Sequence, residues 1–194
     1  TDDNGEDGVV ITRNTLDILG RIVSVCDALG REGMTVNSYG VGENLLFITE
    51  NIDSGMRSLL IDVIGNPIYS RDSRGHTLIN RYDALLRPTD TLLEAAGMPV
   101  KLVQRIVYGD DPLANNVGQI TEIRAQDGKT SFEYDFKGNI ERQEKQFTQD
   151  YQNSLDWNGS PVLQNETFIQ YTIYDALNRP VALTHPDNKT VHYT

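Results

Sequence analysis

The sequence predicts an all-β chain of repeated antiparallel β-hairpins, and three observations lead to that prediction. A short motif, an aspartate followed three residues later by a glycine or a substitute for it, recurs along the chain. Segments that alternate with a period of two lie between the copies, as half-buried strands do. Helical spacing is found near residues 147–156, where Phe147, Tyr151 and Leu155 lie four apart. We therefore expect at most one or two short helices.

In most copies the motif consists of a tyrosine or apolar residue, an aspartate, two variable residues, a glycine and an arginine or asparagine. Tyr82, Tyr134 and Tyr174 precede the aspartate in three copies. Because seven copies share this register, the motif indicates internal repetition. The aspartates are Asp17, Asp27, Asp62, Asp72, Asp83, Asp135 and Asp175, and the residues three positions later are Gly20, Gly30, Gly65, Gly75, Leu86, Gly138 and Asn178.

Each copy is interpreted as the turn of a β-hairpin. An aspartate at the first position can accept a hydrogen bond from the backbone two residues later. The fourth position needs a positive φ to close a type I turn with a bulge, which glycine adopts without steric cost. Asparagine, as at Asn178, is the next best residue there. At Leu86 the side chain opposes this conformation, so we expect a distorted turn or one of another type.

Three further segments carry structural expectations. Residues 1–8 are expected to be disordered or loosely attached, and residues 9–194 to form the repeat segment. The composition of residues 91–97 favours helix, whereas their position in the repeat favours a strand, which is the interpretation preferred. Gln126-Asp127-Gly128 predicts a hairpin that joins residues 119–124 to residues 130–136.

Composition narrows the function classes. The chain has 194 residues, a formal net charge of −11 and a pI near 4.6, which argues against binding nucleic acid or an anionic membrane surface. No apolar run approaches the ~20 residues that span a bilayer. Cys26 is the only cysteine, so no internal disulfide forms, and it is interpreted as a small buried apolar residue. The chain lacks an initiator methionine, and we expect it to be a fragment of a longer polypeptide.

No catalytic, cofactor or metal site is predicted. The sequence has no Gly-x-Ser-x-Gly motif and no phosphate-binding or dinucleotide-binding glycine motif. His185 and His192 flank Asp187 without an evident third metal ligand. Asp110-Asp111 lacks the spacing of a calcium-binding loop.

Tyr151 and Trp157 are candidate glycan contacts. Their aromatic rings lie near aspartate and asparagine in the sequence, and this combination is typical of sugar-binding sites. Tyr174 could stack on a sugar in the same way, but the alternative is that the repeat accounts for Tyr174 and the predicted short helix accounts for Tyr151.

The repeat resembles the YD repeat of the RHS family, which also includes the teneurins. Four stretches occur in one order: 105–109, 134–139, Asp150-Tyr151 with Asp156-Trp157, and 174–180. That order is similar to the RHS part of bacterial insecticidal toxin-complex proteins, in their B or fused B–C components. The Asp-Pro-x-Gly pattern of the self-cleaving domain found beyond the repeats in that family is absent.

The resemblance implies a curved wall segment of a spiral RHS shell that encloses and carries a toxic C-terminal polypeptide. Its implied partners are the remainder of its own shell, the enclosed toxin cargo and other toxin-complex subunits, and its implied location is outside the bacterial cell. No enzymatic activity is expected. The alternative is a glycan-binding or protein-binding module of an adhesion-type YD-repeat protein.

Overall fold

The computed structural model describes residues 11–29, 33–40 and 46–193, and the predicted disordered segment 1–8 lies outside them. Fifteen β-strands make up the regular structure of these residues, together with one turn of 3-10 helix at Pro112–Ala114. No α-helix occurs in these described ranges. The strands are β1 (Arg13–Leu16), β2 (Ile22–Cys26), β3 (Thr35–Tyr39), β4 (Leu46–Asn51), β5 (Gly55–Ile61), β6 (Pro67–Arg71), β7 (Thr77–Tyr82), β8 (Pro88–Glu94), β9 (Lys101–Tyr108), β10 (Ile120–Ala125), β11 (Gly128–Tyr134), β12 (Ile140–Phe147), β13 (Phe168–Tyr174), β14 (Pro180–Thr184) and β15 (Thr190–His192).

The strands form a sheet in which each one pairs with the next in chain order. The pairs are antiparallel, for example β1 with β2 and β13 with β14. Next to several turns the register shifts by one residue, as between Leu60 and Ile61 and between Glu133 and Tyr134, which is the bulge expected beside such a turn. The predicted all-β fold of repeated antiparallel hairpins is confirmed, and so is the hairpin of β10 and β11.

The helix predicted near residues 147–156 is wrong. Phe147 is the last residue of β12, and residues 147–149 pair with residues 162–164, since Gln164 N donates to Phe147 O at 2.8 Å and Gln149 N donates to Val162 O at 3.1 Å; bends follow at residues 152–153. This pairing outweighs the local helical spacing, as tertiary contacts commonly do. Residues 91–94 belong to β8, so the strand interpretation of that segment is correct up to Glu94.

The chain divides into two compact units, residues 1–79 with 95–97 and residues 80–94 with 98–194. In the first unit, Thr77 is the buried side chain among the described residues. The second unit contains the six apolar residues that are buried in the described part of the chain. Since each hairpin buries little by itself, its stability depends on the hairpins beside it. The six are Leu92, Leu102, Tyr134, Leu155, Trp157 and Ala182.

Candidate functional site

The turn at Asp175 shows the geometry of the repeated motif. The backbone N–H of Asp175 donates to the carbonyl of Arg179 at 2.9 Å, and that of Asn178 donates to the carbonyl of Asp175 at 3.1 Å. Asp175 Oδ1 accepts from the backbone N–H groups of Leu177 (2.8 Å) and Arg179 (2.9 Å), and Oδ2 accepts from Arg179 Nε (2.7 Å). A single carboxylate therefore satisfies two backbone donors and one side-chain donor at the tip of the hairpin.

The same arrangement recurs at five other turns. In each, Oδ1 accepts from the backbone N–H groups two and four residues later, at 2.8 to 3.0 Å, and Oδ2 faces the side chain of the residue four positions after the aspartate, which is Arg, Asn or His. At Asp27, Oδ1 accepts from Leu29 N at 3.0 Å, and Gly30 lies outside the described residues. The five aspartates are Asp17, Asp62, Asp72, Asp83 and Asp135.

The fourth residue of each described turn lies in the left-handed region. The φ values are 77° at Gly20, 97° at Gly65, 83° at Gly75, 63° at Leu86, 85° at Gly138 and 61° at Asn178. The distortion expected at Leu86 is wrong, because its turn keeps both backbone bonds, Asp83 N to Arg87 O at 3.0 Å and Leu86 N to Asp83 O at 2.9 Å. The three bonds to the Asp83 carboxylate offset the steric cost of a leucine in this conformation.

The turn carboxylates are held ionised by their own donors. The backbone N–H of Arg179 makes the largest contribution to lowering the pKa of Asp175, followed by the Arg179 guanidinium. The pKa of the carboxyl is also below its ordinary value at Asp17, Asp62, Asp72, Asp83 and Asp135. A low pKa makes a carboxylate a weak base, so these groups are poorly suited to take up a proton in catalysis.

Tyrosines at strand ends donate hydroxyl hydrogen bonds to the adjacent strands. The buried Tyr134 donates its hydroxyl to the carbonyl of Ile120, the first residue of β10, at 2.6 Å. Tyr108 donates in the same way to the carbonyl of Pro88, the first residue of β8, at 3.1 Å. Burial raises the pKa of Tyr134, so its hydroxyl keeps its proton. Tyr82 and Tyr174 are half-buried at the ends of β7 and β13.

The tyrosines also stack against the arginines of the turns. The guanidinium of Arg87, paired with Asp83 at 2.7 Å, lies 4.0 Å from the centre of the Tyr108 ring. Arg21, paired with Asp17 at 2.7 Å, lies 4.4 Å from the centre of the Tyr39 ring. Each stack is a cation–π contact that links a turn to the end of the second strand after it, β3 for Arg21 and β9 for Arg87.

The segment between β12 and β13 hydrogen-bonds to the start of β9, beyond the residues of β9 that pair with β10. Leu102 N donates to Asp156 Oδ1 at 3.0 Å, and Trp157 N donates to Leu102 O at 2.9 Å. Leu155 N donates to Gln126 Oε1 at 2.9 Å, and Trp157 Nε1 donates to Ala125 O at 3.1 Å. Asp156 also begins an Asp-x-x-Gly turn, since Gly159 N donates to its carbonyl at 3.0 Å. This spacing is visible in the sequence and was the available signal for the docked turn.

The two candidate glycan contacts have different environments. Trp157 is 8% exposed and donates its ring N–H to the backbone, so little of its ring is accessible in this structure. Tyr151 is 83% exposed and lies at the rim of two open depressions, one formed by residues 149–156 with Pro161 and Val162, the other including Phe147 and Gln164.

The remaining polar candidates have structural partners. His185 forms the first residue of a turn in which its N–H donates to Lys189 O at 2.9 Å, and Asp187 pairs with Lys189 at 2.8 Å. Asp111 caps the 3-10 helix through Leu113 N at 2.8 Å, and Cys26 is half-buried. In the part of the chain that the structure describes, no three His, Cys, Asp or Glu residues cluster as metal ligands would. No helix of these residues is long and apolar enough to cross a membrane.

Comparison with solved structures gives similar folds. The crystal structure of TcdB2-TccC3 without its hypervariable C-terminal region matches with a TM-score of 0.84 and 18% identity, over 97% of this chain and 10% of that one. The crystal structure of TcdB2-TccC3 matches at 0.83 and 20% identity over 96% and 10%. The Photorhabdus luminescens Tc holotoxin pore matches at 0.83 and 19% identity over 96% and 10%.

This chain has the fold of part of these toxin-complex proteins. It spans about a tenth of the length of the chains it matches. No family model matches the sequence. No curated protein matches it significantly. The likeness of fold agrees with the resemblance to the RHS part of toxin-complex proteins, which rests on the Tyr-Asp turns.

Proposed function

We propose that this chain is a structural wall segment of an RHS-type shell that encloses and carries a toxic C-terminal polypeptide in a toxin-complex-like protein. Its partners are the remainder of that shell, the enclosed polypeptide and other toxin-complex subunits, and it acts after secretion from a bacterium. The segment catalyses nothing and needs no cofactor.

The observation that carries this proposal is the pairing of fifteen strands in chain order. A sheet built in this way grows by adding hairpins, each of which contacts only the hairpins beside it. Outside the six buried apolar residues of the second unit, most side chains of the described strands are half-buried or exposed. This burial suits an extended wall better than a compact domain centred on an active site.

The chemistry of the turns supports a structural role. A catalytic carboxylate ordinarily occurs once, in a setting that tunes it to its reaction. Here the same carboxylate environment recurs at six turns, and its oxygens are occupied by hydrogen bonds within the turn, as at Asp135 and Asp175. A residue with a structural role is expected to recur wherever its turn recurs, as these aspartates do.

The proposal is tested on the whole polypeptide that contains this chain, by limited proteolysis of its C-terminal part. A Cβ atom on Gly128 would overlap Gln146 O and approach Phe147 Cα to 2.9 Å, so Gly128→Val should open the pairing of β11 with β12. Gly159→Ala is the matched control, because a Cβ there meets only Asp156 O at an ordinary 3.5 Å. The C-terminal polypeptide should be protected in the native protein and in the control, and cleaved in Gly128→Val.

Cleavage at the same rate in the folded native protein and in the unfolded protein would show that nothing is enclosed. In that case, glycan-array binding that Tyr151→Ala abolishes would favour the alternative binding module, because Tyr151 is the exposed ring of the candidate pair.

A further inference from the structure

The turns of the second unit lie at two ends of its strands. Because the strands pair in chain order and alternate in direction, the turns that join odd to even strands lie together at one end. These are the turns 83–87, 135–139 and 175–179 and the loop 109–119. Apolar side chains occupy the centres of these turns and of the loop, and we call them the turn-tip row. The row consists of Leu85, Leu86, Leu113, Phe136 and Leu177.

The turn-tip row is exposed and continuous. Its side chains are between 54% and 93% exposed. Arg87 Nη1 donates to Gly118 O at 3.4 Å, and Lys137 Nζ donates to Ala176 O at 2.8 Å, so neighbouring turns touch. Asn139 Nδ2 also donates to Asn178 Oδ1 at 3.2 Å. Asn115 Nδ2 of the loop donates to the carbonyl of Tyr134, the residue before the turn 135–139, at 3.5 Å, so the four tips lie along one edge.

The short turns at the other end of these strands have polar centres, Gln126-Asp127 and Pro186-Asp187. Exposed apolar side chains do occur at that end, at Met98 and in the long loop at Tyr151 and Val162. Only the first end repeats a large apolar residue in every turn. In the first unit, exposed apolar residues occur in turns at both ends, for example Ile18 and Leu29, so the inference is confined to the second unit.

We propose that the turn-tip row is an association surface whose partner is a second row of turn tips of the same kind. The exposed apolar area supports association. A large apolar side chain contributes on the order of 150 Å², so the five side chains present several hundred Å². Patches above a few hundred Å² are uncommon on a monomer surface, and a standard interface uses about 800 Å² per partner.

Charge favours a partner of the same kind. Asp83 pairs with Arg87 and Asp175 with Arg179, both at 2.7 Å, so these tips carry no net charge although the whole chain carries −11. Lys137 lies in the turn of Asp135, so the formal charge of that turn is also zero. The three short turns of two such rows can therefore approach with little of the repulsion that like-charged surfaces experience, whereas the loop 109–119 adds the charges of Asp110 and Asp111.

The repeat distance selects a hairpin row over a helix. Adjacent strands lie about 4.8 Å apart. Neighbouring turns at one end of the sheet are separated by two strands, so their tips repeat about every 9.6 Å. A second row has the same period, so its side chains can interdigitate along the full length. The apolar positions of a helix one heptad apart are about 10.5 Å apart, and they lose register with each further tip.

The test uses a second copy of this chain as the probe. Sedimentation velocity from about 1 μM to about 100 μM should show concentration-dependent association of the native chain. The tip variant carries Leu85→Ser, Phe136→Ser and Leu177→Ser. The control variant carries Met98→Ser, Tyr151→Ser and Val162→Ser, which are between 60% and 83% exposed at the opposite end.

The tip variant should weaken association about tenfold or more, as loss of central apolar contacts does, and the control should stay within about twofold. Circular dichroism and the melting temperature establish that both variants are folded. If the tip variant does not fold, Phe136→Lys replaces it, because like charges facing each other should weaken association equally well. A native chain that stays monomeric at about 100 μM overturns the proposal, and so does equal weakening by the tip and control variants. Association through this row needs no cargo, so its failure would leave the enclosure proposal standing.

Discussion

The segment between β12 and β13 depends on the side chain of Leu155, and Leu155→Ala should release it before the sheet unfolds. Leu155 is 5% exposed and neighbours Trp157, which is 8% exposed. The other attachments of the segment are hydrogen bonds, including those that Lys101 Nζ donates to Ser154 Oγ at 2.8 Å and Leu102 N donates to Asp156 Oδ1 at 3.0 Å. Apolar burial therefore supplies a large part of the docking energy.

The magnitude follows from the atoms removed. Leucine to alanine deletes three carbons, and burial is worth about 0.8 kcal/mol for each, which gives about 2.4 kcal/mol. The cavity that remains adds to this cost, and Leu→Ala substitutions in protein interiors cost about 2–5 kcal/mol. Because the segment lies at the surface and can relax, we expect a loss near the lower end, about 2–3 kcal/mol.

Trp157 is the only tryptophan and reports directly on this segment. In a urea titration of Leu155→Ala, tryptophan emission should shift to the red at a lower concentration than the loss of the sheet signal in circular dichroism. Val162→Ala, in the same segment but 67% exposed, is the control and should leave both transitions unchanged. A change of stability below about 0.5 kcal/mol in Leu155→Ala, the range of ordinary surface substitutions, would refute the reasoning.

Four further predictions concern the turns and metal independence. Asp175→Ala should lower the melting temperature more than Asp175→Asn, because the asparagine carbonyl can still accept the backbone bonds; equal losses would contradict this. His185→Asp should raise the melting temperature, because the turn already has the required backbone path and would gain an acceptor. The pKa of the turn carboxyls is lowered by folding, so their contribution to the free energy of unfolding is present above about pH 4 and is lost as the pH falls further. If the acid unfolding curve is the same for Asp175→Asn as for the native chain, this prediction is wrong. Chelators of zinc and calcium should leave the melting temperature unchanged, since no ligand cluster occurs in the described residues.

The turns could be predicted from sequence because each one is specified locally. At Asp62 and Asp135 the acceptor, the backbone donors and the positive-φ residue all lie within five residues. Leu86 was misjudged because intrinsic preference opposes its conformation. The bonds of Asp83 to Leu85 and Arg87 outweigh that preference, and they are the same bonds that the motif predicts elsewhere.

The docked segment could not be predicted because its partners are distant in the chain. Trp157 is buried by contacts with Leu102 and Ala125, which lie 55 and 32 residues away. Its neighbours in the sequence, asparagine and aspartate, are equally typical of an exposed sugar-binding ring. The helical spacing of Phe147, Tyr151 and Leu155 was misleading for the same reason, since backbone pairing with residues 162–164 decides the conformation there.

The turn at His185 shows whether the aspartate of the motif sets the backbone path of the turn or only stabilises that path. His185 N donates to Lys189 O at 2.9 Å, Asn188 N donates to His185 O at 2.9 Å, and Asn188 has a φ of 63°. This is the backbone path of the Asp175 turn, formed without an aspartate at its first position. The carboxylate is therefore not needed to define the path, and its contribution must be to stabilise it. Because each turn fixes its own register, a sheet of such hairpins can be extended without any residue that specifies its overall length.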